Sequence, residues 1–347
     1  MTSAPLLEVH DLEVEIPVPH GNLQAVRGVS LMLAAGESIG VVGESGSGKS
    51  ITLRALLGLL PRPAKVVGGS ILLDGIDVTG LPEKKRRKVL TEAMSMVFQD
   101  SLTALNPVMR IGDQIAEVPR RRLGMSRSAA AARAIDLMNQ VGIPEPERRY
   151  RAYPHELSGG MRQRVCIAIA LSAQPRIILA DEPTTALDVT IQAQVLDVID
   201  NLRKEKQLGL ILVSHDLAVV SQTCSRVYVM YAGRVVESGN VRDLLQLPRH
   251  PYTFALLRSV PDPDQPVHRL LTIPGQPPDL TVVQQGCSFA PRCAFAEPQC
   301  LAAEPPLMTA PGQRDHLAAC VRLETAPQWP SWSQEIPSVP AVEEVGS

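Results

Sequence analysis

Gly43-Glu44-Ser45-Gly46-Ser47-Gly48-Lys49-Ser50 is the stretch whose reading decides the fold. It follows the apolar run Ser38–Val42 and precedes the helix-like run Ile51–Leu60, so a G-x-x-x-x-G-K-S sequence stands between a strand and a helix. That is the context the motif requires. Its glycines let backbone N–H groups curl around a polyphosphate with no Cβ in the way. Lys49 reaches the outer phosphates, and the Ser50 hydroxyl is placed for Mg²⁺. The helix that follows adds its positive N-terminal end. A polyphosphate site over Gly43, Glu44, Ser45, Gly46, Ser47, Gly48, Lys49 and Ser50 is therefore expected.

The 347 residues suffice for two or three domains of roughly 100–200 residues each. A net charge of -2 gives no long-range attraction for nucleic acid or an anionic membrane surface. No basic segment leads into an apolar one at the start, and no apolar run approaches roughly 18 residues, so neither export nor membrane crossing is expected. Cys166 and Cys224 lie in core-like sequence, whereas the other four of the six cysteines fall between Cys287 and Cys320. Without an export signal disulfides are not expected, and such a cluster points to metal.

Outward from the glycine-rich stretch, residues 6–42 read as strands with a turn at Gly21-Asn22, and Ile71–Leu73 reads as a further hairpin strand. The basic run Glu83–Lys88 reads as a solvated helix face. A strand over Ser95–Phe98 ends in Gln99. Residues 100–158 then become helix-periodic, notably Ser128–Met138, and read as a helical insertion. A helix opens after Ser158-Gly159-Gly160. Ile177–Ala180 and Leu210–Val213 are continuous apolar runs, as expected of strands buried on both sheet faces. Beyond about residue 240 the chain is proline-rich, without long helical or strand periodicity, and Glu324–Ser347 reads as a disordered tail. The expected organisation is a first core part with a β subdomain (1–99), a helical subdomain (100–158), a second core part (159–240), a cysteine-containing C-terminal extension (241–323) and the tail (324–347).

Strand ends carry the chemistry. Asp181 emerges at the carboxyl end of a core strand, where α/β proteins bind ligands, and beside a phosphate loop it would hold Mg²⁺. Glu182 follows and can face the terminal phosphate, where a carboxylate orients or deprotonates water. His215 ends the next strand and is expected to touch the same phosphate, and the Gln99 amide is placed to sense Mg²⁺ or water. Ser158-Gly159-Gly160 is a second helix-opening turn with free N–H groups. A second such turn in a one-nucleotide protein suggests a site completed by another subunit.

Gly43–Ser50, Gln99, Leu157–Met161, Ile177–Glu182, Ala186-Leu187-Asp188 and His215 resemble, in order and spacing, the Walker A, Q-loop, signature, Walker B, D-loop and H-loop of ABC-type ATPase domains. The resemblance implies an α/β P-loop NTPase core with an antiparallel β subdomain and a helical subdomain. It also implies two such domains facing head to tail, with ATP between one phosphate loop and the other's signature. Gln99–Pro107, Tyr153–Arg164, His250-Pro251-Tyr252-Thr253 and Pro274-Gly275-Gln276-Pro277-Pro278 are similar to the ATPase subunits of dipeptide and oligopeptide importers, over roughly residues 6–323. That similarity implies a second, related or identical ATPase subunit, two transmembrane permease subunits docked on the block after Gln99, and an extracytoplasmic substrate-binding protein. It places the chain at the cytoplasmic face of the bacterial inner membrane, with no nucleic-acid partner. The solute stays open among peptides, nickel chelates and glutathione-like molecules. A soluble ABC ATPase would need basic arms or a second cassette, and a scaffold subunit would need a degraded site; neither feature is present. One departure stands out. ABC domains usually stack adenine on an aromatic residue near the N-terminus, where this chain has Ile16, with His20 the nearest substitute.

Cys287-x5-Cys293-x6-Cys300-x19-Cys320 suits tetrahedral zinc or a four-iron cluster, and the lack of tight C-x2-C pairs leans away from zinc. Gly286–Cys293 resembles the peptide-importer extension, whose cysteines hold a [4Fe-4S] cluster. The implied role is structural, stabilising a segment too polar for its own core.

Overall fold

The computed structural model describes residues 5–19, 21–185, 187–259, 273–282 and 285–323. His20, Ala186 and the tail 324–347 lie outside them. The strands are β1 (Leu7–Val18), β2 (Gly21–Leu33), β3 (Ser38–Val42), β4 (Lys65–Leu73), β5 (Ile76–Asp77), β6 (Met94–Val97), β7 (Ile177–Asp181), β8 (Gly209–Ser214), β9 (Arg226–Tyr231), β10 (Arg234–Asn240), β11 (Met308–Thr309) and β12 (Leu317–Ala318).

They form two sheets. The smaller is antiparallel in the order β2-β1-β4-β5, and the larger runs β11-β12-β10-β9-β3-β8-β7-β6. Strands β9, β3, β8, β7 and β6 are parallel. Every residue of β3, β7 and β8 is buried, the pattern of strands covered on both faces. One face packs against the smaller sheet, where Leu7, Leu12 and Leu33 meet Leu53 and Leu56 of the helix Lys49–Leu56. The other face belongs to a core that includes Ile111, Ile115, Leu137 and Met138 from the helices Ile111–Arg122 and Arg127–Gln140.

Register decides where the site forms. Val42 pairs with Ser214, Asp181 with Val213 and Val97 with Ala180, so β3, β6, β7 and β8 end level with one another. The loops after these strands therefore open along one edge, where open α/β sheets bind ligands.

The region after residue 240 departs from its irregular appearance in sequence. It contains the helices Val241–Gln246 and Pro251–Arg258 and contributes β11 and β12. End groups start these short helices, rather than periodicity. The Asn240 side chain accepts from the Arg242 N–H, His250 Nδ1 accepts from the Tyr252 N–H, and Pro251 occupies the first turn. Strand β12 pairs with β10 through Glu237 and Ser238, which joins this region to the main sheet. Glu237 is wholly buried, accepts the N–H groups of Arg249 and His250, and lies 2.6 Å from His316 Nε2.

Candidate active site

A cavity of about 670 Å³ opens along the level strand ends. The turn after β3 forms its floor. Gly48 there has φ +100°, and a Cβ would stand 2.5 Å from the Ala25 carbonyl oxygen, so only glycine is accommodated. Lys49 Nζ donates to the carbonyls of Gly43 at 2.7 Å and Glu44 at 2.8 Å, lying inside the loop it belongs to. Burial lowers the Lys49 pKa, and Glu182, Asp181 and Glu44 oppose that shift. An incoming polyphosphate would exchange those carbonyl contacts for charged oxygens.

Ser50 Oγ donates to Asp181 Oδ1 at 2.7 Å. Burial raises the Asp181 pKa, and the Ser50 hydroxyl counters it. A hydroxyl and a carboxylate side by side at a phosphate loop are hard oxygen donors suited to Mg²⁺. Gln99 is turned elsewhere: its Nε2 donates to Glu182 Oε2 at 3.2 Å.

Glu182 collects the remaining polar groups. Its Oε2 accepts from Thr185 Oγ1 at 2.9 Å and lies 3.2 Å from His215 Nδ1. Its own backbone is left-handed, at φ +44°, a conformation costing about 1–3 kcal/mol for a residue with a side chain. The Glu182 N–H bonded to the Val213 carbonyl at 3.0 Å holds it there. The carboxylate is thus aimed by backbone strain and shared among Gln99, Thr185 and His215. Thr185 had no role assigned from sequence, although it lies within the run Pro183-Thr184-Thr185.

Glu44 lines the cavity, and its carboxylate is taken up by a residue from far along the chain. Arg292 holds it through two hydrogen bonds, and the Glu44 N–H donates to the Tyr252 hydroxyl at 2.7 Å. Both partners lie in segments that resemble the peptide-importer extension, His250–Thr253 and Gly286–Cys293, but no local pattern pairs either with Glu44.

Ser158, Gly159 and Gly160 do not line the cavity. Ser158 Oγ caps the helix Gly159–Ser172 by accepting from the Met161 N–H, and Gly160 lies against Ile191 so closely that a Cβ would come within 2.5 Å.

Residues 26–185 match the family model described as ABC transporter, and residues 236–300 match the one described as oligopeptide/dipeptide transporter, C-terminal region. The oligopeptide transport ATP-binding protein OppD of Salmonella typhimurium is 46% identical over 91% of this chain and 93% of its own. The protein of the same name from Bacillus subtilis is 48% identical over 87% and 85%.

The chain belongs to the ABC transporter ATP-binding family.

A solved dimeric ATP-binding cassette in a post-hydrolysis state, bound to ADP and Pi, superposes on this ABC ATPase with a TM-score of 0.61 at 27% identity, covering 68% of this chain and 99% of its own. ABC ATPases of this kind couple ATP hydrolysis to transport, with ATP and Mg²⁺ as the fitting cofactors. Among the described residues no helix is long and apolar enough to cross a membrane.

None of the four C-terminal cysteines of the ABC ATPase forms a disulfide, and Cys293, Cys300 and Cys320 are buried. The backbone N–H groups of Phe289, Phe295 and Arg322 point at the thiols of Cys287, Cys293 and Cys320, each two residues earlier, and the Glu297 N–H points at Cys300 Sγ at 3.4 Å. Burial pushes the Cys293 thiol up to about 12 and Cys320 to about 11, and mutual charge adds to the effect. Among the described residues no group of three or more His, Cys, Asp or Glu side chains is arranged to hold a metal ion. The expected four-thiolate centre is therefore not preformed; the structure shows four neighbouring thiols, each with an N–H donor.

Proposed function

We propose that this ABC ATPase is the energising subunit of an importer for dipeptides or oligopeptides. What carries the reading is the union of the cassette with the extension matched to peptide transporters, held together at Glu44 and β10. In the site, Lys49 and the backbone of Gly43–Ser50 hold the β- and γ-phosphates, and Ser50 and Asp181, with Gln99 after a shift of its amide, hold Mg²⁺. Glu182 takes a proton from the attacking water as that oxygen bonds to the γ-phosphorus and ADP departs. His215 donates to the phosphate and steadies Glu182. Catalysis here rests on positioning and charge.

Ser158, Gly159 and Gly160 complete the site of a second ATPase subunit, a related chain or a second copy. Their place outside their own chain's cavity supports this reading. The block after Gln99 receives two permease subunits at the cytoplasmic face of the membrane, where Leu102 and Val108 are exposed. A substrate-binding protein outside the membrane delivers the solute. Cys287, Cys293, Cys300 and Cys320 would ligate a [4Fe-4S] cluster, with zinc as the competing occupant; the N–H groups at sulfur offset part of the burial that raises the thiols. That cluster would brace the extension structurally.

The test is uptake of labelled peptides into cells lacking and then regaining this chain, compared with nickel chelates and glutathione. Peptide uptake restored by the chain is the expected result. Restoration of nickel or glutathione uptake alone would move the solute assignment. A visible spectrum with iron and zinc analysis of protein purified without oxygen tests the cysteines: about four irons per chain are expected, and colourless, metal-free protein would overturn the cluster.

A further inference from the structure

We propose that the segment Pro277–Leu280 of the C-terminal extension is the base platform of the nucleotide site, holding the nucleotide's ring against Ile16 and Leu23. The proposal rests on the reading of Gly43–Ser50 as a polyphosphate site and adds what lies beyond the phosphates.

The cavity has two chemically different walls. Phosphate-loop residues with Gln99, Glu182 and His215 make one, and Ile16, Leu23, Pro277, Pro278 and Leu280 make the other; Asp279 lines the cavity within the same stretch, its Oδ1 accepting from the Thr281 N–H and hydroxyl. Ile16 and Leu23 are cross-strand partners in β1 and β2, so their side chains form one apolar step. The Gln24 N–H donates to the Leu280 carbonyl at 3.0 Å, which seats the extension beside that step. Arg292 holds the chain just ahead of this segment, its Nε donating to the Pro274 carbonyl at 2.8 Å while its terminal nitrogens hold Glu44. One guanidinium thus ties the apolar wall to the phosphate floor.

A wall of aliphatic and proline side chains at the end of a phosphate site fits a flat, uncharged heteroaromatic ring. Such a ring loses little hydration on entering, and proline contributes a rigid face with little ordering cost on binding. Tyr231 is the tyrosine that lines the cavity, and it is already committed. It is 1% exposed, packs against Tyr252 and Phe289, and its hydroxyl accepts from Arg292. Contact with prolines lacks the geometry of ring stacking, so the platform should bind a base without strong preference between adenine and guanine.

The experiment is calorimetric titration of the full chain with MgATP, MgGTP and tripolyphosphate, the last having no base. In the double variant Pro277→Gly/Pro278→Gly the dissociation constants of MgATP and MgGTP should each rise about tenfold, as for loss of a modest apolar contact, while that of tripolyphosphate stays unchanged. Pro278→Ala alone should give a smaller shift of the same pattern, and it carries the comparison if the double variant does not fold. Unchanged MgATP affinity would overturn the platform. So would a parallel loss for tripolyphosphate, which would mean that the segment only braces the phosphate loop. Wild-type protein that binds neither ATP nor tripolyphosphate would instead overturn the phosphate-site reading, and the platform with it.

Discussion

Arg292 grips Glu44 of the phosphate loop with both terminal nitrogens, at 2.7 Å and 3.0 Å, across 248 positions of sequence. The guanidinium is 4% exposed and the carboxylate 25%, so the pair lies between a buried and a surface ion pair in character. Planar bidentate contact suits arginine and would not be reproduced by lysine. The arrangement joins the C-terminal extension to the turn Gly43–Ser50 proposed to cradle phosphate.

Removing one member of such a pair strands the other. Arg292→Ala should cost about 2 kcal/mol, between the small effect of an exposed pair and the larger one of a buried pair. Urea unfolding of Arg292→Ala, Glu44→Gln and the double variant checks it through the coupling energy. Effects that simply add would show that the contact contributes nothing of its own.

Glu182→Gln keeps the shape and leaves Thr185 and His215 a neutral partner. It should retain MgATP binding within a few-fold and slow hydrolysis by about 10²–10⁴. Phosphate release set beside nucleotide titration separates the two effects; normal turnover would remove Glu182 from the role of base.

A methyl group at position 48 has no room. The Ala25 carbonyl that it would meet at 2.5 Å is backbone, and φ +100° is unfavourable for alanine. Gly48→Ala should cost about 1–3 kcal/mol and weaken MgATP binding. A thermal melt and a nucleotide titration suffice, and a variant equal to wild type in both would contradict the loop geometry.

His250 is a pH-sensitive point of the extension. Burial lowers its pKa from 6.5 to about 3. Above about 6.5 the imidazole is neutral whether the chain is folded or unfolded, so pH has no leverage there. Below that value the unfolded chain takes up a proton that the folded one refuses, and stability falls with pH until about 3. His250→Asn keeps a helix-capping acceptor and removes the titration. The stability advantage of wild type over this variant should shrink from pH 7.5 to pH 4, as read from urea midpoints; a constant difference would refute it.

The amino-acid order by itself determined the local chemistry. The turn Gly43–Ser50, the carboxylates Asp181 and Glu182 at the end of an apolar run, and His215 after another are short-range patterns in which neighbouring residues set backbone freedom, strand burial and the emergence of a side chain at a strand end. Only the tertiary structure decided how those ends meet. Level register among β3, β6, β7 and β8 brings Gln99 and His215 onto one carboxylate oxygen of Glu182, and strain at Glu182 aims it. The extension shows the same division. Proline hid its short helices from any reading by periodicity, although a proline at a helix start was itself a signal. The contacts of Arg292 with Glu44, of Leu280 with Gln24 and of β12 with β10 depend on strand order and chain packing. Pairings over such separations are set by which surfaces the fold brings together, and no local pattern of residues encodes them.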